Sequence, residues 1–312
     1  MNQEELHDLI AKHQPNICQV VAYKNNEKVY SDCWNDYKAD DCTHIMSATK
    51  SIIALLIGIA LDKGQIGSID DKVLNYFPDY KVKRGEKTIY DVTIRHLLTM
   101  TTGHDVALNV RTLTDEEDWV ATFLATPVKH EPGTFYVYNT LGSYMLSAIV
   151  QKVTGQKIID YLYPRLFRPL GIVGATWQES PQGINLGGWG LFLKTEDLAK
   201  VGQLFLQRGQ WNGRQILPSS WVDEATAKQT ECCPAGMRFD DITVSPKDSD
   251  WVQGYGYQMW RCRHNAVRAD GADGQYIIIL PDQNAVIAMT AAIGDMQSEI
   301  NLVWKHLLPA LR

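Results

Sequence analysis

Ser47 and Lys50 stand one helical turn apart at the head of a strongly apolar run, in His44-Ile45-Met46-Ser47-Ala48-Thr49-Lys50 followed by Ser51-Ile52-Ile53-Ala54-Leu55-Leu56-Ile57. Side chains three residues apart on a helix share a face, with Cβ atoms about 5–6 Å apart, so the Lys50 amine can reach the Ser47 hydroxyl. A serine hydroxyl is a weak nucleophile until a base takes its proton. Lysine serves as that base only when its ammonium form is disfavoured: its ordinary pKa is about 10.4, and burial lowers it. Ile52, Ile53, Leu55, Leu56, Ile57, Ile59 and Leu61 supply the apolar surround. At the helix start Ser47 would also lie beside unpaired N–H groups and the positive end of the dipole, where an oxyanion is stabilised. The four-residue spacing alone recurs by chance in helices, with the serine an ordinary N-cap and the lysine solvated. Other segments decide between the two.

The 312 residues suffice for one large or two medium domains, and 45% apolar with 21% charged residues is the balance of a soluble globular protein rather than a disordered one. A net charge of -6 with dispersed basic residues argues against a nucleic-acid face. The first ten residues lack the basic and apolar regions of a secretory signal and read as an amphipathic helix. No apolar run approaches the ~20 residues of a membrane span. The six cysteines (Cys18, Cys33, Cys42, Cys232, Cys233 and Cys262) are irregularly spaced, as expected of reduced thiols in a cytoplasmic protein.

The β-branched and aromatic runs Ile17 to Tyr23 and Lys28 to Trp34 flank a turn and predict a hairpin, and Gln275 to Leu280 with Ala285 to Thr290 predict a second. The spacing predicts a helix from Ser47 to Asp62, short helices at 69–74, 94–99 and 115–124, and longer ones at 142–154 and 158–166. Further helices are expected at 197–209, 218–227 and 296–308. Strands near both ends with helices between predict a mixed α/β protein. Its sheet domain is built from 1–66 and 176–312, and a mainly helical domain, 67–175, is inserted.

Three more segments carry chemistry: Leu97-Leu98-Thr99-Met100-Thr101-Thr102-Gly103-His104, Glu131-Pro132-Gly133-Thr134-Phe135-Tyr136-Val137-Tyr138-Asn139-Thr140, and Ala269-Asp270-Gly271-Ala272-Asp273-Gly274-Gln275. With Ser47-Ala48-Thr49-Lys50 their order and spacing resemble the serine β-lactamase and penicillin-binding-protein superfamily, in its class C and esterase-like branch. The resemblance extends over essentially the whole chain, including Leu166-Phe167-Arg168-Pro169-Leu170-Gly171 and Gly187-Gly188-Trp189-Gly190. It implies an antiparallel sheet flanked by helices, a neighbouring helical domain, and a site in the cleft between them. It further implies Ser47 as acylated nucleophile, Lys50 as its amine partner, and Tyr138 as the tyrosine that moves protons as phenolate or hydrogen-bonded phenol. Tyr136 is the alternative register, but the Pro-Gly-Thr lead and Gly142 favour Tyr138. The backbone N–H groups of Ser47 and Ala272 would form the oxyanion hole, and Thr140, Ala269, Asp270 and Gly271 would contact substrate.

Two positions depart from the pattern. Thr140 replaces the usual asparagine, and Ala269-Asp270-Gly271 replaces Lys-Thr-Gly or His-x-Gly, so the cation that helps hold a substrate carboxylate is missing. Arg263, His264 and Arg268 are close in sequence, with a solvated surface role expected for each. An ester or amide of a small, uncharged acyl compound therefore fits better than penicillin hydrolysis or D-Ala-D-Ala carboxypeptidase action; a ligand-binding or scaffolding protein of weak activity is the reading from another class. No Gly-x-Ser-x-Gly elbow, zinc motif or complete dinucleotide loop occurs, so no metal or cofactor is expected. His104 is expected to be structural, and Trp189 and Tyr255 either line the cleft or are packed. The partner is a small molecule; oligomeric state is not legible.

Overall fold

A computed structural model describes residues 3–82, 89–109, 113 and 115–311. Its centre is a six-stranded antiparallel sheet in the order β2-β1-β11-β10-β9-β8, formed by β1 (Ile17–Lys24), β2 (Glu27–Cys33), β8 (Trp260–Arg261), β9 (Val267–Gly271), β10 (Gln275–Leu280) and β11 (Ala285–Ala291). Both expected hairpins are present, and β1 pairs with β11 so that the two ends of the chain share one sheet. Every residue of β10 and β11 is buried, which explains their unbroken apolar sequences: both faces are covered. Successive side chains on a strand point to opposite faces. Ile277 and Ile279 enter a core shared with α2 (Thr49–Asp62) and α7 (Thr195–Leu206), whereas Tyr276, Ile278 and Leu280 enter another shared with α1 (Gln3–His13) and α9 (Met296–Leu302).

The helix after Ser47 is buried all round; only its last two residues, Leu61 and Asp62, are more exposed. Such a helix belongs in an interior, and here it packs between β9 and α5 (Thr140–Thr154). At Gly58 it meets Trp221 of α8 (Ser219–Thr226), whose indole N–H donates to the Ala54 carbonyl at 3.0 Å. The larger apolar cluster also takes in Leu97, Phe123, Tyr144 and Leu166 from the 67–175 segment.

Several boundaries differ from expectation. The turn Met46–Ala48 is 3-10, and the α-helix begins at Thr49. The 158–166 helix is α only over α6 (Ile158–Leu162) and widens into a π-turn at Tyr163–Phe167, where Pro164 has no N–H to donate. A similar π-turn interrupts the C-terminal helix at Val303–Leu307. Near Pro78 the expected short helix is a 3-10 turn, Val73–Tyr76, and the 115–124 helix starts at Trp119, capped by Asp118. A small sheet, β3-β5-β4 (Cys42–His44, Leu191–Lys194, Thr176–Trp177), was not apparent in the pattern because its strands are only two to four residues long. Among the described residues no helix is long and apolar enough to cross a membrane.

Candidate active site

The site begins where β3 ends. Ala48 N–H donates to the Ile45 carbonyl at 3.1 Å and Thr49 Oγ1 to the Met46 carbonyl at 2.7 Å, closing the turn that carries Ser47. Met46 holds a φ of 48°, a left-handed conformation costing a non-glycine residue roughly 1–2 kcal/mol. From the other side β9 presses close. A Cβ at Gly271 would overlap the Ile45 carbonyl oxygen and lie 3.1 Å from Ala48 N, so a glycine lets strand and turn meet.

Lys50 follows in the first turn of α2, fully buried. Its Nζ lies 2.9 Å from Ser47 Oγ and donates to the Gly188 carbonyl at 2.8 Å. Burial pulls the Lys50 pKa down to about 7, with the Asp270 carboxylate opposing. Near neutral pH a large share of the side chain is therefore free amine. With one N–H engaged by Gly188, its lone pair is available for the Ser47 proton.

Tyr138 comes from the segment before α5, whose first turn is capped by Asn139 accepting from Gly142 N–H at 3.0 Å. Its side chain hydrogen-bonds to Ser47. The ring stacks on Trp260 (centroids 5.6 Å apart), and Lys50 Nζ is 4.9 Å from its centre. Burial pushes the phenol above its ordinary pKa, opposed by the Ser47 hydrogen bond and Arg268 and reinforced by Asp270. The group is thus a protonated phenol at neutral pH, suited to donating and relaying a proton. Tyr136, two residues earlier, is buried against Tyr255 and Trp260, with no partner for its hydroxyl among the described residues.

Ser47 and Tyr138 open onto a cleft of about 500 Å³, within the range of small-molecule sites. Asp270 and Ala272 form part of its wall, with Trp251 and Trp260. The other residues expected at the substrate are placed differently. Thr140, the first residue of α5, packs against Gly188, whose carbonyl anchors Lys50, and so stands beside the base rather than on the cleft wall. Ala269 corrects the expectation: alternation along β9 turns its methyl into the core shared with α2. Gly271 abuts the nucleophile turn. Arg268 is also a correction. Rather than being solvated it is fully buried, with Nε donating to Asp270 Oδ2 at 2.8 Å. Arg263 is half-buried and paired with Asp250 at 2.7 Å, and His264 is exposed against Trp304. His104 is buried and bonded to Thr102 Oγ1 at 2.8 Å, Tyr255 is packed edge-on to Tyr138, and Trp189 stacks on Trp119.

Gly188, Trp251 and Trp260 went unassigned from sequence. The glycine-rich stretch 187–190 signalled a close backbone approach, since Cβ atoms at 187 and 188 would collide with α5. The tryptophans carried no comparable signal.

Ser47 thus lies on a cleft wall with the buried Lys50 amine beside it, in a chain built on an antiparallel sheet packed with helices. The chain belongs to the beta-lactamase family, whose profile matches residues 10–301; the serine β-lactamase and penicillin-binding-protein superfamily is made of serine hydrolases. It is 24% identical over 281 residues to the 6-aminohexanoate-dimer hydrolase of Paenarthrobacter ureafaciens, a match covering 83% of this chain and 68% of that protein. Esterase EstB of Burkholderia gladioli is 24% identical over 152 residues, 43% of this chain and 38% of the esterase. The octameric penicillin-binding protein homologue from Pyrococcus abyssi superposes with a TM-score of 0.78 at 18% identity, over 99% of this chain and 78% of that one.

Proposed function

We propose that the protein hydrolyses an ester or amide bond of a small substrate through an acyl-enzyme on Ser47. The observation that carries this reading is the Lys50 amine, buried, held by Gly188 and 2.9 Å from Ser47 Oγ. Ser47 Oγ attacks the carbonyl carbon as its proton passes to Lys50. The Tyr138 phenol gives its proton to the leaving oxygen or nitrogen and recovers one from the ammonium of Lys50. Water then attacks the acyl carbon, losing its proton through the same pair, and Ser47 is restored with release of the acid. Backbone N–H groups of Ser47 and Ala272 hold the oxyanion, each donor contributing about 100- to 1000-fold in rate. Tyr138 is the contribution of the 67–175 segment, which we take as the inserted domain, to the described cleft wall.

The relatives named for a dimer hydrolase and an esterase support esters or amides as the substrate class. Among the described residues no lysine or arginine is on the cleft wall, which disfavours β-lactams and D-Ala-D-Ala peptides, whose free carboxylate needs a cation. All six cysteines are free thiols, as suits a reducing compartment such as the cytoplasm.

A fluorophosphonate probe followed by intact-mass measurement tests the reading. One adduct on the parent protein and none on Ser47→Ala is expected, with turnover of p-nitrophenyl esters or small amides. Equal labelling of both proteins, or no adduct and no turnover, would leave only a ligand-binding protein with this fold.

A further inference from the structure

We infer that Asp270 sets substrate specificity by excluding anions, because it masks a cation, Arg268, that the fold holds directly behind the cleft wall. The inference rests on the acyl-enzyme reading above.

Arg268 and Asp270 are two residues apart on β9 and so share a face of the strand. Arg268 is fully buried, whereas Asp270 is on the cleft wall. The guanidinium is clamped between two other wall residues, 4.5 Å from the Trp251 ring centre and 5.4 Å from that of Trp260. Its Nη1 donates to the Asp250 carbonyl at 2.6 Å and to Cys262 Sγ at 3.0 Å, fixing its orientation. Nε donates to Asp270 Oδ2 at 2.8 Å, and Nη2 has no partner among the described residues. The Nε and Nη2 edge is the one that grips a carboxylate with two parallel bonds. Here Asp270 fills half of it and stands between the cation and incoming substrate. Among the described residues the other charged groups on the wall, Asp248 and Asp295, are acidic as well. A substrate carboxylate approaching Ser47 therefore meets like charge, while the Arg268 cation behind the wall is already neutralised.

Replacing Asp270 by its uncharged isostere would unmask that edge. The test compares kcat/KM for p-nitrophenyl butyrate and the similarly sized anionic p-nitrophenyl hemisuccinate. The native protein is expected to favour the neutral ester by roughly tenfold or more, since juxtaposed like charges are strongly disfavoured. Asp270→Asn should narrow that ratio about tenfold or reverse it. The double variant, in which Arg268→Gln removes the unmasked cation, should lose the gain of Asp270→Asn. Because each readout is a ratio, a general loss of activity cancels. Equal use of both esters by the native protein, or an unmoved ratio in folded Asp270→Asn, overturns the inference. Should Asp270→Asn not fold, the native ratio decides alone. A Ser47 adduct with a flat ester ratio rejects this inference and leaves the acyl-enzyme intact; no adduct and no turnover rejects both.

Discussion

At the scale of single residues, the protein maintains a lysine where lysine is costly. The folded pKa of Lys50, about 7, lies below its ordinary value. Between those values the unfolded chain binds the extra proton, so this residue's contribution makes stability rise with pH through that window, and its full cost is present at and below pH 7. Lys50→Met should therefore melt a few degrees higher than the parent at pH 7, by roughly 2 kcal/mol after the loss of the Gly188 bond, with the gain shrinking toward pH 10. The same variant should react with the fluorophosphonate at least about 100-fold more slowly. In the parent, kcat/KM should climb with pH through an apparent pKa near 7, as ammonium becomes amine; a rate that falls across that range would assign the proton differently. Tyr138→Phe keeps the ring stacked on Trp260 but removes the relay, so hydrolysis should drop by about 100- to 10,000-fold.

At the scale of elements, the proposed catalysis depends on β9 and the Met46–Ala48 turn meeting without side chains between them. Gly271 is the contact point. A methyl there faces backbone rather than a flexible side chain, so the strand or the turn must shift. Gly271→Ala should destabilise the protein by about 1–3 kcal/mol, the usual penalty of overpacking, and should slow Ser47 labelling because Ala272 follows it. Thermal melting and labelling kinetics measured on one preparation check both parts. An unchanged melting temperature would show that the two elements have slack.

For the whole molecule, the two ends of the chain close on the same sheet, and Glu299 lies where they meet. This fully buried carboxyl accepts from Asn16 Nδ2 at 2.5 Å and packs under Gly274 in the turn between β9 and β10. Burial pushes its pKa up to about 7, with Asn16 opposing and Asp295 adding. For a carboxyl raised in this way, its contribution to stability is intact below the unfolded value near 4.5 and is lost as pH rises toward 7. Glu299→Gln should consequently be more stable than the parent at pH 8, by about 1–3 kcal/mol, and no more stable at pH 4.5. Melting curves at the two pH values test this, and a destabilised variant at pH 8 would mean that the carboxylate is satisfied in the fold.

Much of this arrangement is local in origin. The apolar run after Ser47, the two hairpins and the cap at Asn139 follow from periodicity and turn chemistry, which neighbouring residues determine among themselves. Ser47 and Lys50 were legible together because three residues along a helix is a distance in space as well as in sequence. Arg268 was misread because one β-strand residue is buried or exposed according to which sheet face is covered and by what, and its cover, Trp251 and Trp260, comes from a distant loop and a two-residue strand. The same holds for the inward turn of Ala269 and the Gly188 carbonyl on Lys50. Sequence by itself determined which groups could react and the elements that carry them; tertiary structure decided their protonation and which of them face the cleft, because desolvation and Coulomb interaction act through space between segments the chain keeps far apart.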